Sequence, residues 1–319
     1  MDFKKVSELL TLALWLVGGL LMLATLANAA PNPNFHIYIA YGQSNMAGNG
    51  DIVPAEDQAT APKNFLMIAS HTANAKSRSG STTQSIETGK WYPAIPPMFH
   101  PFENLSPADY FGRAMVDSLP GVTVGIIPVA IGAVSIRAFD KDQYEAYFRG
   151  DGKDIMNWGW PKDYDNNPPG RILELAKKAK EVGVIKGFIF HQGESDGTDD
   201  NWRRTVYKTY KDIIDALDLH ENEVPFVAGE LLQEGQNCCS SKNGGIALLK
   251  NNFKKFGLAS SKGLQGNGKD PYHFGRAGVI ELGKRYCSEM LKLIDKTIDP
   301  DAPPVNLVDP SQSTAPDEP

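Results

Sequence analysis

The sequence predicts an α/β fold with a parallel sheet that is covered by helices on both faces. Short apolar runs alternate along the chain with longer segments whose apolar side chains have helical spacing. Such continuous apolar runs are typical of strands in parallel sheets, which are buried on both faces. With 319 residues, the chain is long enough for one large domain of this class or two small ones.

The first half of the chain begins this alternation. Residues 35–41 form a β-rich run that stops at Gly42, and residues 65–69 form a weaker one. Residues 108–119 place apolar side chains at helical spacing, and residues 122–130 form another long apolar run. We therefore predict strand, strand, helix and strand in this order.

The second half repeats the pattern and closes with a helix. Helical spacing marks three segments, which are 171–182, 202–217 and 277–294. Apolar runs mark three strands, which are 184–190, 225–228 and 256–259. In sheets of this kind ligands bind beyond the carboxyl ends of the strands, so the residues that follow each strand are the candidates for function.

Composition and charge exclude several classes of protein. The chain is 41% hydrophobic and 22% charged, which is ordinary for a globular protein. Its 32 Lys and Arg against 38 Asp and Glu give a formal net charge of −6, and no long basic block occurs, so nucleic-acid binding is not expected. Glycine and proline follow no collagen period, and no repeat of about 20 to 50 residues indicates a solenoid or propeller.

Residues 1–29 are expected to be a signal peptide rather than part of the fold. Lys4 and Lys5 precede an almost wholly apolar stretch, 9–26, and Ala27-Asn28-Ala29 then offers an A-x-A cleavage site. A transmembrane anchor is the alternative, because about 18 apolar residues can span a bilayer. No basic stop-transfer cluster follows, so we predict a secreted, extracellular protein with no stable membrane association after cleavage.

The other end of the chain also differs from the predicted domain, which covers residues 30–297. Residues 298–319 hold six prolines and little apolar material, so we expect a linker or disordered tail, which could lead to a further module. The three cysteines are Cys238, Cys239 and Cys287. One disulfide from Cys287 to either of the others is compatible with the sequence, whereas a bond between the adjacent pair would be strained. Their spacing does not match a zinc site, and no metal site is predicted.

The first and last polar motifs contain the side chains of a hydrolytic triad. Gly42-Gln43-Ser44-Asn45-Met46 follows the first strand, where a glycine turn would expose the Ser44 hydroxyl. It is not the G-x-S-x-G elbow, since position 46 is Met. Asp270-Pro271-Tyr272-His273 lets one loop set a carboxylate against Nδ1 of His273 and leaves Nε2 for a nucleophile. A turn serine, a helix-capping Asp270 and a surface His273 are the alternatives, but the three residues together favour a triad.

Two further strand ends could stabilise an oxyanion. His191-Gln192-Gly193-Glu194-Ser195-Asp196 follows the strand at 184–190, and the carboxamide of Gln192 can donate to a developing negative charge. Glu194 could instead be a second orienting carboxylate, and a plain polar turn is the alternative. Gly132, after the strand at 122–130, could bring its backbone N–H close to an oxyanion because it has no Cβ.

In this order, the blocks GQSNM, AIG, HQGES and DPYHF resemble those of the SGNH-type esterases over residues 35–293. More narrowly, the chain is similar to the sialate-O-acetylesterase-like group and, within it, to carbohydrate esterase family 6, the acetylxylan esterases. The resemblance implies a three-layer α/β/α sandwich with a short, mostly parallel sheet. It also implies Ser44 as nucleophile, His273 as general base and Asp270 as its orienter.

The resemblance further implies an oxyanion hole made of the Ser44 and Gly132 backbone N–H groups and a polar side chain of the third block. The wider class has Asn there, where the match in this chain falls on Gln192, and its first block usually begins G-D-S, where this chain has Gln43. Such an esterase needs no metal or organic cofactor.

The sequence leaves alternatives open both for the substrate and for catalytic activity. Trp91, Trp158 and Trp160 are expected on Pro- and Gly-rich loops, where flat rings suit sugar faces, although packing is an equal explanation. The resemblance favours acetylated xylan of plant cell walls as the polysaccharide substrate. The alternatives are an esterase for another acyl group or sugar, such as O-acetylated sialic acid or a lipid, and a non-catalytic carbohydrate-binding protein on the same fold.

Overall fold

The computed structural model describes residues 30–80, 84–235 and 238–307. Those from Asn32 onward belong to one compact unit. The predicted signal peptide, 1–29, and the end of the predicted tail, 308–319, lie outside the described residues, so both stay predictions. In the described part of the chain, no helix combines the length and the apolar character that a membrane span requires.

The described residues form a seven-stranded sheet with the order β3-β2-β4-β1-β5-β6-β7. The strands are β1 (Phe35–Gly42), β2 (Phe65–Ile68), β3 (Trp91–Pro93), β4 (Thr123–Ala130), β5 (Val184–His191), β6 (Phe226–Gly229) and β7 (Phe256–Ala259). All neighbours are parallel except β2 and β3, which pair antiparallel. The predicted mostly parallel sheet is therefore confirmed.

The edge strand β3 corrects one expectation. We predicted a loop around Trp91, but the residue pairs with Ile68 of β2 and its ring packs on Phe35, with ring centroids 4.8 Å apart. A strand of three residues is too short to show a period of two, which is why the sequence pattern does not reveal it.

Helices flank the sheet. The α-helices of the described residues are α1 (Ser44–Ala47), α2 (Pro54–Asp57), α3 (Pro107–Ser118), α4 (Tyr144–Arg149), α5 (Lys153–Trp158), α6 (Pro168–Lys180), α7 (Asp200–Ala216), α8 (Asn243–Ala247) and α9 (Arg276–Leu293). Short 3-10 helices occur at Ala75–Ser77, Ile136–Phe139, Trp160–Tyr164, Ser240–Lys242 and Leu248–Asn251. All four helices predicted from apolar spacing are present, as α3, α6, α7 and α9.

Local signals explain where two of these helices begin. Ser106 and Asp109 form a capping box at the start of α3, where the Ser106 hydroxyl accepts from the Ala108 N–H and Asp109 accepts from the Ser106 N–H. The Asp199 carboxylate accepts from the Trp202 N–H at the start of α7. Each cap satisfies backbone donors that the first turn of a helix leaves unpaired.

Strand β1 runs through the middle of the core, and its side chains alternate between two apolar clusters. Ile37, Ile39 and Tyr41 pack in the cluster that includes residues of α6 and α7. Tyr38 and Ala40 pack in the cluster that includes residues of α3 and α9. The alternation follows from the two-residue period of a strand. The finer expectation of a three-layer sandwich stays a prediction.

The register of the central strands brings three chain segments together. Gly42 at the end of β1 is level with Ala130 of β4 and with His191 of β5. The segments that follow these strands therefore leave the sheet side by side at its carboxyl edge, as expected for a ligand site in a parallel sheet.

The start of the predicted tail is held against the described unit. The Asn34 side chain donates to the Asp299 carbonyl at 2.6 Å and accepts from the Asp299 N–H at 2.9 Å. Val305 and Leu307 contact the core cluster that includes α6 and α7. A linker or disordered segment stays a prediction for residues 308–319.

The cysteines pair differently from the sequence-based expectation. Cys238 forms a disulfide with its neighbour Cys239. Cys287 is a buried free thiol, and burial raises its pKa to about 11. The alternative of a bond from Cys287 is therefore wrong, because α9 holds this cysteine in the core.

Candidate active site

The side chains of Ser44, His273 and Asp270 form a hydrogen-bonded chain at the carboxyl edge of the sheet. Ser44 is half-buried and is the first residue of α1, directly after β1, whereas Asp270 and His273 lie on the loop before α9. The distance from Ser44 Oγ to His273 Nε2 is 2.8 Å, and from His273 Nδ1 to Asp270 Oδ2 it is 2.9 Å. Because an ionised carboxylate only accepts, Nδ1 donates to Asp270, and Nε2 is left to accept the Ser44 proton.

A glycine before the serine makes the sharp exit from β1. Gly42 has φ +147°, and a Cβ at this position would lie 2.0 Å from the backbone oxygen of His191. The Gln43 N–H donates to the same oxygen at 2.9 Å. Only glycine permits this close approach of β1 and β5, which turns Ser44 toward the cavity.

Asp270 is held as an anion by its own loop. Its Oδ1 accepts from the backbone N–H groups of Tyr272 and His273 at 2.8 and 2.9 Å, and its Oδ2 accepts from Asn267 Nδ2 at 2.9 Å. Burial raises the pKa of Asp270, but the hydrogen bonds from Asn267, His273 and the Tyr272 backbone outweigh burial and hold this pKa well below its ordinary value. The carboxylate is therefore both ionised and fixed in position.

Glu194 makes no hydrogen bond to His273 and is linked through Asn45 to the loop that carries His273. Glu194 Oε1 accepts from Asn45 Nδ2 at 2.7 Å. The same amide donates to the Tyr272 carbonyl at 3.0 Å and accepts from the Phe274 N–H at 3.3 Å, so it holds the backbone on both sides of His273. The sequence motif did not reveal this role of Asn45, although the residue is adjacent to Ser44.

The charge of Glu194 is stabilised in the interior. Burial raises the pKa of Glu194. The His191 ring, whose Nε2 lies 3.6 Å from Oε1, and the Asn45 amide lower this pKa by more than burial raises it, so the net shift is downward. His191 Nδ1 in turn lies 3.1 Å from the Tyr286 hydroxyl, which donates to the Phe190 carbonyl. An ionised Glu194 is thus part of a buried polar network that ends at Asn45.

The structure excludes the Gln192 side chain from the oxyanion hole, which corrects the prediction. Its amide NH₂ donates to the Val134 carbonyl at 3.2 Å and to the Asp196 carboxylate, and its Oε1 accepts from Trp202 Nε1 at 2.7 Å. Gln192 is 1% exposed and does not line the cavity. Both N–H donors are already used in the interior, and the carbonyl oxygen of the side chain is occupied by Trp202 of α7.

Gly132 does lie at the cavity, packed beneath Trp160. A Cβ at Gly132 would lie 2.4 Å from the Trp160 ring, so glycine is needed for this contact. The next residue, Ala133, has φ 58°, a left-handed conformation that is costly for a residue with a side chain, and it also lines the cavity.

Gln43, which replaces the Asp of the wider class, joins the first block to the third. Its Oε1 accepts from the backbone N–H groups of Gly193 and Ser195 at 3.3 and 3.4 Å, and its Nε2 lies 3.4 Å from Ser195 Oγ. The prediction attached no role to this residue, because nothing in its own sequence neighbourhood shows which strand end it meets.

A cavity of about 520 Å³ lies over the Ser44 hydroxyl. It is lined by Gln43, Ser44, Asn49, Glu103, Gly132, Ala133, Trp158, Trp160, Glu194, Ser195, Tyr272 and His273. Trp158 and Trp160, two of the three tryptophans considered as sugar contacts, thus line the cavity. The third, Trp91, is buried in β3 and is not in the lining. None of the described residues that line the cavity is Lys or Arg.

A cluster of three acidic residues outside the cavity is occupied by a lysine. Asp140, Asp142 and Asp212 bring their carboxylates together. The Lys208 ammonium lies 2.7 Å from an oxygen of each one. The lysine thus takes the place that a cation would occupy among these carboxylates and offsets part of their charge.

A known protein family matches most of this chain. The model of the family described as "carbohydrate esterase, sialic acid-specific acetylesterase" matches residues 34–292. The chain belongs to this family. The family places the protein among carbohydrate-active carboxylic ester hydrolases, in agreement with the resemblance to SGNH-type esterases, while family 6 in particular stays a proposal.

Two solved structures show that the fold of this carbohydrate esterase recurs. A protein from Arabidopsis thaliana is 19% identical, with a TM-score of 0.57, and the alignment covers 82% of this chain and 98% of that one. NanS is 12% identical, with a TM-score of 0.54 and the same two coverages. At such identities the likeness concerns the fold alone.

Exposed aromatic rings surround the cavity of this carbohydrate esterase. Trp158 and Tyr272 line it and are 54% and 46% exposed, and Phe102 is 49% exposed and stacks on Trp160 with ring centroids 6.0 Å apart. Large exposed apolar side chains are few among the described residues; the others are Leu248 and Ile298. Their concentration around one cavity indicates a binding surface.

Glu103 is a buried carboxyl group on the wall of the same cavity. It is 8% exposed, and its side chain has no hydrogen-bond or ion-pair partner among the residues that the structure describes. Burial raises its pKa from the ordinary 4.5 to about 7. Neither the sequence motifs nor the resemblance points to this residue.

The unpartnered carboxylate predicts that Glu103→Gln stabilises the folded protein at alkaline pH. Since the folded-state pKa is raised, ionisation costs stability progressively between pH 4.5 and 7 and fully above pH 7. The variant should be more stable than wild type by up to about 3 kcal/mol at pH 8.5, and the two should be nearly equal at pH 4. Urea unfolding at both pH values measures this difference. Equal stabilities at pH 8.5 would show that the carboxylate is not desolvated.

Proposed function

We propose that this chain is a secreted serine esterase that removes O-acetyl groups from plant cell-wall polysaccharide, with acetylated xylan as its substrate, as in carbohydrate esterase family 6. The observation that carries the proposal is the hydrogen-bonded order Ser44, His273, Asp270 at the floor of a cavity with an aromatic rim. Family membership supports the acetylesterase class. The choice of xylan rests on the sequence resemblance.

The reaction proceeds through an acetyl-enzyme. Ser44 Oγ attacks the acetyl carbonyl while His273 Nε2 takes its proton, and the ionised Asp270 stabilises the resulting imidazolium. The tetrahedral oxyanion forms beside the backbone N–H groups of Ser44 and Gly132, and each such donor contributes roughly 3 kcal/mol to transition-state stabilisation. His273 then protonates the departing sugar oxygen, and water activated by His273 releases acetate and regenerates Ser44.

The exposed aromatic rings around the cavity support a carbohydrate ester rather than a lipid ester as the substrate. Flat rings such as those of Trp158 and Tyr272 pack against the C–H faces of a sugar and leave its hydroxyl groups free to hydrogen-bond, which suits amphipathic aromatic side chains. Polar side chains, including Asn49 and Glu103, lie beside these rings in the lining. A lipid acyl chain would make no hydrogen bonds with those polar groups and would displace water from them.

O-acetylated sialic acid is the second candidate substrate, because the description of the matching family names it. The two candidate substrates differ in charge, and the charges that line the cavity affect their binding differently. Sialic acid carries a carboxylate, whereas the xylose units of a xylan backbone are neutral.

Acetate release tests the proposed function. The wild-type protein should release acetate from acetylated xylan, and an assay with p-nitrophenyl acetate separates an esterase from a non-catalytic carbohydrate-binding protein. Butyryl and longer esters should be poorer substrates than acetyl esters. Turnover of p-nitrophenyl acetate without acetate release from any acetylated glycan would contradict the proposed function.

Secretion follows from the predicted signal peptide and has its own test. Cleavage after Ala29 gives a mature chain that begins at Ala30. N-terminal sequencing of protein recovered from the medium is expected to begin there. Protein that retains Met1 in a membrane fraction would instead identify the apolar segment as an anchor.

A further inference from the structure

The loop that carries Glu103 is fastened to the segment after the nucleophile. The Asn104 N–H donates to the Gly48 carbonyl at 3.1 Å, and Gly50 and Leu105 exchange backbone hydrogen bonds of 3.1 and 2.7 Å. Gly48 itself donates to the Ser44 carbonyl at 2.9 Å, at the end of α1. The Glu103 carboxyl group is thus held at the cavity wall by the same short segment that carries Ser44.

The cavity lining offers Glu103 no cation with which to pair. The described lining residues include a second carboxylate, Glu194, but no Lys or Arg. A buried carboxylate without hydrogen bonds is unfavourable, and carboxylates only accept. A substrate group that relieves this cost for the ionised Glu103 has to be a hydrogen-bond donor.

Sugar hydroxyl groups are such donors, and sugar carboxylates are not. A hydroxyl that donates to Glu103 supplies a hydrogen bond to a charged acceptor, which is stronger than one between neutral groups. An ionised sugar carboxylate placed in the same cavity would face two like charges and no compensating cation, and juxtaposed like charges cost several kcal/mol.

We propose that Glu103 determines the specificity of the site by accepting a hydrogen bond from a sugar hydroxyl and by excluding sugars that carry a carboxylate. The inference rests on the proposed function, since it concerns the glycan that Ser44 deacetylates. It assigns neutral acetylated glycans as the substrate class and separates them from O-acetylated sialic acid.

The test compares two substrates that differ in charge and by a single methyl group. They are 9-O-acetyl-N-acetylneuraminic acid and its methyl ester, with acetylated xylotriose as the neutral reference, and acetate release gives kcat/KM at pH 7.5. For wild type we expect the methyl ester to exceed the free acid by at least about 10-fold. In Glu103→Gln this ratio should fall to below about 3, and kcat/KM for xylotriose acetate should fall by about 10-fold because the charged acceptor is lost.

A matched variant and a binding measurement accompany these rates. Glu281→Gln changes a half-buried glutamate of α9 that pairs with Arg285 and lies outside the lining, and it should keep the wild-type ratio. In the Ser44→Ala background, adding Glu103→Gln should weaken calorimetric binding of unacetylated xylotriose by about 10-fold. Glu103→Ala provides a second variant with the same expected ratio if the glutamine variant fails to fold.

The outcomes separate the two proposals. If the sugar acetates are hydrolysed and wild type treats the free acid and the methyl ester alike, or if the ratio is unchanged in both Glu103 variants, the role of Glu103 is overturned and the esterase assignment stands. If a folded wild type releases acetate from none of the three sugars, the proposed function is overturned, and the Glu103 assignment that rests on it is overturned as well.

Discussion

Replacing Ser44 with alanine is expected to lower kcat for acetate release by at least about 10³ while the protein stays folded. The hydroxyl is half-buried and donates only to His273, so its removal opens no large cavity in the core. Without it no acetyl-enzyme can form, and only the oxyanion donors and substrate positioning remain. Initial rates with acetylated xylan, beside circular dichroism of the purified variant, measure the effect.

An exposed serine supplies the control for this variant. Ser288 lies on the solvent side of α9 and outside the cavity lining, so Ser288→Ala should turn over like wild type. Near-normal turnover by a well-folded Ser44→Ala protein would remove Ser44 from the role of nucleophile.

Asp270→Asn is expected to lower kcat by about 10² to 10⁴ with little change in KM. The carboxylate contacts His273 Nδ1 directly, so its charge stabilises the imidazolium that forms in the transition state. Glu194→Gln should cost much less, because a glutamine oxygen can still accept from Asn45 and keep the loop around His273 in place.

The pH dependence of kcat/KM distinguishes the two carboxylates further. His273 has to be neutral to accept the Ser44 proton, so kcat/KM falls on the acid side as the imidazole becomes protonated. In Asp270→Asn the imidazolium lacks its anionic partner, and the acid limb should move to lower pH. A larger loss and a shifted limb in Glu194→Gln, with Asp270→Asn like wild type, would reverse the assignment of the orienting residue.

Sequence patterns predicted the parts of the molecule that depend on local order. Strand β1 follows from a β-rich run and helix α9 from the helical spacing of apolar side chains, and the D-x-x-H spacing places Asp270 beside His273 within a single loop. The parallel sheet then requires the ends of β1, β4 and β5 to meet at one edge, which is why residues far apart in sequence share a cavity.

The features that were missed depend on contacts that no local pattern encodes. Gln192 follows a strand end as expected, but its amide points inward because Trp202 of α7 offers a donor there. Asn45 and Gln43 flank the nucleophile, yet their partners lie on other strand ends. Glu103 is one charged residue in a loop without a motif, and only its burial beside Ser44 gives it significance.

The contact between Gly132 and Trp160 links recognition to chemistry. The indole of Trp160 lies directly on the backbone that presents a proposed oxyanion donor, with no side chain to act as a spacer. If a sugar stacks on this ring as proposed, it also contacts the ring that packs on the backbone of the proposed oxyanion donor, so a displacement of one displaces the other. Ligands and mutations that reach the ring will change affinity and turnover together, and a bulkier residue at position 132 will displace both.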